Sequence, residues 1–214
     1  MPRRRILVIT SCTSRKVSLE GPVMAEALYD GEQHRRLMKG VYSARRLQRD
    51  WEVDLRIVSA GHGVVDGRQL IETYNRTFAG MDVVSADELA RELGIAQSIQ
   101  AAFGTRHDLA LVLLGSTYLR AAELDRMTGF PAPTFIFGGS IAARRFRHLE
   151  AALMVPAGKD EARRFSCGLV GLKGELAGRV LISLARDPGL LSRLPEAPFE
   201  QLLADDQLQM ALAA

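Results

Sequence analysis

A thiol and an ammonium group lie four residues apart in the first polar loop of this chain. Cys12 and Lys16 follow a short apolar run that ends at Ser11. A cysteine beside cations can be a low-pKa nucleophile, but a small cysteine at a strand end can equally be a buried structural residue. Lys16 could bind an anion, or it could be an ordinary solvated charge at the surface. Because the loop lacks the glycines of a Walker A motif, it gives no support to nucleoside triphosphate hydrolysis.

A second polar group follows within the next twenty residues. Tyr29, Gln33 and Arg36 share one face if a single helix runs through them, by the i, i+4, i+7 rule. Tyrosine stacks on a planar ring, glutamine pairs with the polar edge of a base, and arginine contacts phosphate. The alternative is an exposed helix surface without a ligand.

A histidine between two glycines is the most distinctive local feature. In the segment Ser59-Ala60-Gly61-His62-Gly63, His62 has little side-chain crowding, so its ring can reach a ligand as a base or a hydrogen-bond donor. Asp66 could orient it or activate water. The alternative is a turn in which His62 is partly exposed and Asp66 caps the next element.

Three further segments carry polar or glycine residues suited to a planar ligand. Tyr74 and Asn75 stand beside an arginine and Phe78. Glycine lets a ligand approach the backbone, and a serine after it can cap a helix. The remaining candidates are Gly115, Ser116, Tyr118, Gly138 and Gly139.

The elements that must position these residues alternate along the chain. Apolar, β-branched runs predict strands, and longer amphipathic stretches predict helices. This alternation predicts an α/β fold with three layers: a mostly parallel central sheet, flanking helices and a helical C-terminal region. The predicted strands are residues 5–10, 53–59, 109–114 and 134–137, and the predicted helices are residues 22–50, 85–103, 119–127, about 140–148 and 160–186.

All four predicted strands end in small polar or glycine-rich segments. In open α/β sheets, ligands bind outside the carboxyl ends of the strands. We therefore expect one pocket at that edge, containing Lys16, His62, Asp66, Tyr74 and Tyr118.

Composition narrows the class of protein. The chain has 214 residues, of which 47% are hydrophobic and 25% charged, as in a globular protein. We expect one α/β domain at residues 1–194 and an acidic tail at 195–214. No apolar run reaches about 20 residues, so we expect no membrane association, and the short apolar start favours a cytoplasmic protein. Two cysteines and no Cys/His cluster predict neither a metal nor another cofactor.

Charge is unevenly distributed. Residues 1–50 contain 11 lysines and arginines against 5 acidic residues, whereas the rest of the chain contains 17 against 20. A basic surface favours a nucleic acid partner, because it neutralises backbone phosphates and releases counterions. The alternative interpretation is that arginine is simply the common surface cation of this protein and has no nucleic acid partner.

Several of these motifs, in their order, resemble the YaaA-like family. They are Ser11-Cys12-x3-Lys16, Ala27-Leu28-Tyr29, Ser59-Ala60-x-x-Gly63-Val64, Ile71-x-x-Tyr74-Asn75 and Gly115-x-x-Tyr118, and they span roughly residues 5–150. The first motif, with Gln33-His34-Arg35, is also similar to a motif of archaeosine synthase, although Ser11 stands where that motif has proline. The layout is compatible with a fold like that of uracil-DNA glycosylases.

These resemblances imply recognition of a nucleobase in a nucleic acid, DNA rather than RNA, with cleavage of an N-glycosidic bond as the expected chemistry. Asp66 would then activate water or stabilise a cationic sugar, His62 or Asn75 would hold the departing base, Tyr74 or Tyr118 would stack on it, and Lys16 and Arg36 would contact phosphate. Two alternatives remain open: a non-catalytic DNA-binding stress protein, and an enzyme acting on a free nucleoside or nucleobase.

Overall fold

The fold is built on a six-stranded, mostly parallel sheet with helices on both faces. The computed structural model describes residues 4–17, 20–48, 51–146, 148–194 and 202–203. The strands are β1 (Arg4–Ser11), β2 (Val23–Met24), β3 (Trp51–Ser59), β4 (Gly63–Asp66), β5 (Leu70–Ile71), β6 (Leu109–Val112), β7 (Gly129–Gly138) and β8 (Glu150–Pro156). The helices are α1 (Ala25–Leu28), α2 (Glu32–Leu47), α3 (Val83–Glu92), α4 (Ile95–Gly104), α5 (Ser116–Ala121), α6 (Ser140–Phe146), α7 (Lys159–Arg164), α8 (Leu169–Arg186) and α9 (Gly189–Arg193).

The sheet has the order β4-β3-β1-β6-β7-β8, and β2 pairs with β5 in a separate antiparallel ribbon. Every neighbouring pair in the large sheet is parallel except β3 and β4. The α/β class and the mostly parallel sheet predicted from the sequence are therefore confirmed. The predicted domain boundary at residue 194 lies next to residues that are outside the described part of the chain.

Alternation along β1 explains the three layers. Ile6 and Val8 pack into the core on the face covered by α2 and α8, whereas Leu7 and Ile9 pack into the core on the opposite face, against α3, α4 and α5. A strand buried on both faces appears in the sequence as a continuous apolar run. This short segment therefore contributes side chains to the hydrophobic cores on both faces of the sheet.

Helices α2 and α8 approach each other unusually closely. A Cβ atom at Gly174 would collide with the backbone of Gln33, and one at Gly40 would collide with the backbone of Gly178. Glycine at these positions therefore sets the spacing that brings the first turns of both helices over the carboxyl end of the sheet.

The structure corrects several predicted element boundaries. The expected helix at 22–50 is divided: Tyr29 is in extended backbone, and α2 starts only at Glu32. The expected helix at 85–103 is interrupted by Gly94, whose φ of 58° is left-handed. Its N-cap is Asp82, which accepts from the amides of Val84 and Ser85, rather than Ser85 itself.

Two edge strands were absent from the sequence prediction. β4 is a short antiparallel partner of β3, and β8 lies parallel to β7. β4 is only four residues long, and most of β8 is only half-buried, so neither gives a clear apolar alternation in the sequence. Within the described residues, no helix combines the length and apolar character needed to span a membrane.

Candidate functional site

The carboxyl ends of the central strands carry a thiol–phenol cluster, which we define as Cys12, Tyr29, Ser59, Tyr74 and Tyr118. The Cys12 Sγ atom lies 3.1 Å from the Tyr118 hydroxyl. Ser59 donates to the Tyr74 hydroxyl at 2.8 Å, and the Tyr74 and Tyr29 hydroxyls are 3.2 Å apart. Five chain segments thus contribute one side chain each to this cluster.

Local geometry holds the two ends of this cluster in place. The backbone amide of Cys12 donates to the Val58 carbonyl at 2.9 Å, which extends the β1–β3 ladder into the loop. Ser59 Oγ accepts from the amides of Gly61 and His62, which closes the turn after β3. The first polar loop is also tied down, because the Val17 amide donates to Leu28.

Tyr74 is held from both sides of its ring. A Cβ at Gly61 would collide with the ring, so the Gly61 backbone packs directly against it. The Lys16 ammonium lies 4.2 Å from the ring centroid, and the His62 ring meets it edge-on at 4.9 Å. With these neighbours in place, Tyr74 contributes its hydroxyl to the cluster and is not arranged to stack on a base.

The phenols in this cluster are strongly desolvated. Burial raises the pKa of Tyr74 and of Tyr118 well above the ordinary tyrosine value, and the nearby Cys12 thiol adds to the effect. Burial also raises the pKa of Tyr29, which is only 3% exposed. These hydroxyls therefore stay protonated at neutral pH, so they can donate hydrogen bonds.

Two side chains reach the end of β6 from the helices above it. Gln33, in the first turn of α2, donates to the Leu113 carbonyl at 3.2 Å and to the Thr10 hydroxyl at 3.2 Å. Lys173 on α8 donates to the next carbonyl, Leu114, at 2.6 Å. An amide and an amine thus lie side by side at the strand end.

Beside Lys173 is a cavity of about 280 Å³, which we call the β6–β7 cavity. Its volume is close to the lower limit for small-ligand pockets. Gly138 and Gly139 form one wall, and a Cβ at Gly139 would meet nothing within 4 Å. The cavity is lined by Ser116, Leu119, Gly138, Gly139, Ala142, Arg145 and Lys173.

The structure therefore brings together many of the sequence-predicted residues. Those in the cluster or the cavity are Cys12, Tyr29, Ser59, Tyr74, Ser116, Tyr118, Gly138 and Gly139, and Lys16, Gln33, His62 and Gly115 adjoin them. Ser116 is the first residue of α5 but does not cap it. Gly115 holds the N-cap position without a side-chain hydrogen bond.

Asp66 is not brought to this edge. It pairs with Arg56, three residues before the end of β3, so it lies about 10 Å back along the strand at 3.3 Å per residue. One carboxylate oxygen is 3.7 Å from Arg56, and the other accepts from the Arg68 amide in a turn. Asp66 faces a separate cavity of about 360 Å³ lined largely by charged side chains.

Other predicted residues have structural partners instead of a free surface. Arg36 donates to Glu32 at 2.6 Å and to Glu175 at 2.8 Å, so its guanidinium is already neutralised. Gly63 has a φ of 71° at the start of β4, where a side chain would collide with the Leu93 carbonyl.

The structure places His62 and Asn75 at the surface, and for His62 an exposed turn is the alternative that the sequence also allowed. His62 is exposed, and its Nε2 is 2.9 Å from the Glu72 carbonyl, which can only accept this bond. Asn75 is exposed beside Tyr74, and the described part of the chain gives its side chain no hydrogen bond. Neither ring nor amide belongs to the thiol–phenol cluster.

Lys173 and Thr10 are the site residues that sequence reasoning missed. Lys173 stands in an apolar, glycine-containing helical stretch, where a single lysine gives no signal of a ligand. Burial lowers its pKa to about 8. Thr10 appeared to be an ordinary strand residue, although it is fully buried and accepts from Gln33.

A larger cavity of about 580 Å³ lies between α3, α4 and α5. Its charged side chains are mostly paired with one another, as in Arg120 with Asp87 and Arg145 with Asp125. Among the described residues, no group of three or more His, Cys, Asp or Glu side chains is arranged to hold a metal ion. We therefore place the candidate site at the thiol–phenol cluster and the β6–β7 cavity.

Comparison with known proteins identifies no family for this chain. No protein-family model matches the chain, and no curated protein is significantly similar to it.

Proposed function

We propose that this protein recognises a nucleobase-bearing small molecule at the carboxyl edge of its sheet and acts on the N-glycosidic bond of that molecule. The observation that carries the proposal is the β6–β7 cavity, which Ser116 and Lys173 line with polar groups. It lies at the same edge of the sheet as the amide of Gln33 and the neutral phenols of the thiol–phenol cluster. Such a cavity has apolar walls for a flat ring and a few convergent polar groups for its edge.

The size of the cavity favours a single ring system or sugar. About 280 Å³ accommodates one base or one pentose, but not a dinucleotide. The open space at Gly139 allows a ligand to approach the backbone. Arg145 lines the same cavity, but its guanidinium is paired with Asp125 at 2.6 Å.

The arginines of the N-terminal region favour a free nucleoside or nucleotide over a polymer. Arg5, Arg15, Arg35, Arg36 and Arg45 all form ion pairs with carboxylates of this chain. Charges that are already paired release fewer counterions when they meet a phosphate backbone. Five of the eleven basic residues in this region are thereby engaged within the fold.

The test is direct binding and base release. Purified protein is titrated calorimetrically with the common nucleosides, their free bases and their 5′-phosphates, and base release is followed by chromatography with mass detection. The matched variants are Gly139→Leu and Gly104→Leu, since a Cβ at either glycine meets open space but only Gly139 borders the cavity. We expect Gly139→Leu to weaken binding at least ~10-fold, or about 1.4 kcal/mol, and Gly104→Leu to bind as the unmodified protein does.

Nucleic acid is tested in parallel by fluorescence anisotropy with single- and double-stranded DNA and RNA. Tight binding that weakens steeply with salt, without binding of any free nucleoside, would replace this proposal with that of a DNA-binding protein. Equal binding by the two glycine variants would remove the cavity from the site.

A further inference from the structure

Unlike several other half-buried cations in the described part of the chain, Lys173 has no counter-ion. Arg36, Arg45 and Arg145 each form an ion pair with a carboxylate at 2.9 Å or less. Among the described residues, no carboxylate lies within ion-pair distance of Lys173, and its hydrogen bond goes to a neutral carbonyl. A desolvated ammonium without a counter-ion is disfavoured relative to the neutral amine.

The surroundings of Lys173 suit a reaction at its amine. It lines the β6–β7 cavity with Ser116, Gly138 and Gly139, so a small molecule can reach it. A neutral amine that donates one hydrogen to Leu114 still has its lone pair for attack on carbon. Desolvated lysines in apolar pockets are the ones that form imines with carbonyl substrates.

From this arrangement we infer that Lys173 is an amine nucleophile that forms an imine with the aldehyde carbon of a small sugar bound in the β6–β7 cavity. The amine nitrogen attacks C1 of the open-chain aldehyde, and a carbon–nitrogen bond forms. Proton transfer from nitrogen to oxygen gives a carbinolamine. The carbon–oxygen bond then breaks, the oxygen leaves as water, and an imine between Lys173 and C1 remains.

The inference uses the sugar class of the proposed function but does not depend on recognition of a base. Arg145 lines the cavity together with Lys173, and the Glu175 carboxylate on the same helix as Lys173 is paired with Arg36 and Arg179. None of these supplies it with an anion. Burial, which lowers the pKa of Lys173 to about 8, makes the amine partly neutral near pH 7.5.

The test is trapping of the imine on the full chain. The probe is 2-deoxyribose 5-phosphate, an aldehyde sugar without a base, with cyanoborohydride to reduce the imine to a stable secondary amine. The chain has only four lysines, at positions 16, 39, 159 and 173, so peptide mapping by mass spectrometry assigns each adduct. Lys39 and Lys159 are exposed and serve as internal controls.

We expect one dominant adduct, at Lys173, formed at pH 7.5 about 100-fold faster than on a lysine with the ordinary pKa of about 10.4. Lys173→Arg and Lys173→Met should lose the adduct, whereas Lys159→Arg should keep it. If the variants do not fold, mapping of the unmodified protein still decides the matter. Adducts spread evenly over the exposed lysines, with none preferred at 173, would overturn the inference.

The outcome is separable from that of the proposed function. Trapping at Lys173 without any nucleoside binding would support the amine chemistry and remove base recognition. Nucleoside binding without trapping would leave the cavity as a base site and remove Lys173 as nucleophile.

Discussion

The Sγ atom of Cys12 and the hydroxyl of Tyr118 lie 3.1 Å apart, although 106 residues separate them in the chain. The first follows β1 and the second stands on α5, after the adjacent strand β6. Parallel neighbouring strands end at the same edge, and the short turns after them bring the two side chains together. The candidate site therefore forms because β1 and β6 are neighbouring strands in the sheet.

Tyr118→Phe tests the strength of that contact. The change keeps the ring against Phe78 and removes only the hydroxyl, so the loss of one hydrogen bond should lower the free energy of unfolding by about 1 kcal/mol. Urea denaturation measures it. Tyr42→Phe, at a 51% exposed tyrosine, should leave the stability unchanged. Equal stability of all three proteins would mean that the thiol–phenol contact contributes nothing to folding.

Gly174→Ala tests the close packing of α2 on α8. The added methyl group would collide with the Gln33 carbonyl, and overpacking of this kind costs about 1–3 kcal/mol. Gly104→Ala places the same methyl group in open space and should be neutral or slightly stabilising. Thermal and chemical denaturation compare the two. A neutral Gly174→Ala variant would show that the helices move apart at little cost.

Because of the Glu175 carboxylate, the free energy of unfolding should decrease as the pH falls into the acidic range. Burial alone raises its pKa, but hydrogen bonds from Arg36 and Arg179 outweigh burial and hold the pKa below the ordinary value. A carboxyl with a lowered folded-state pKa stabilises the protein above the unfolded-state value of about 4.3, and that contribution is lost as pH falls through the folded-state pKa.

Glu175→Gln should therefore flatten the acid side of the stability curve, measured by urea denaturation from pH 7 to pH 3. Asp160→Asn is the control, since the side chain of Asp160 is 89% exposed. If the free energy of unfolding of Glu175→Gln depends on pH as steeply as that of the unmodified protein, the lowered pKa of Glu175 does not contribute to stability.

Asp66→Asn is expected to leave ligand binding and base release as they are. Asp66 bonds with Arg56 and the Arg68 amide, well back from the carboxyl edge, so its charge is too far away to stabilise a cationic sugar in the β6–β7 cavity. Calorimetry and the base-release assay check this. A loss of base release by ~10²–10³, as removal of one electrostatic contact at a reacting centre causes, would return Asp66 to the mechanism.

Much of the architecture is already present in the sequence. The run Ile6 to Ile9 is apolar at every position because both faces of β1 are buried, and this predicts a central parallel strand. The positions of Cys12, Ser59, Gly115 and Gly138 follow from the rule that ligand sites lie at the carboxyl ends of such strands. The local sequence pattern is sufficient to predict these features. A continuous apolar run indicates a strand buried on both faces, and the alternation of strands with helices indicates that the strands are parallel.

The remainder depended on contacts between distant segments. Arg36 pairs with Glu32 one helical turn away, but its second partner, Glu175, is 139 residues away. Lys173 lines a cavity whose other walls come from residues 116–145. Asp66 seemed close to His62 in sequence, but the antiparallel return of β4 carries it away from the edge. Side-chain partners, desolvation and cavities arise only when the layers pack, so sequence spacing alone could not assign them.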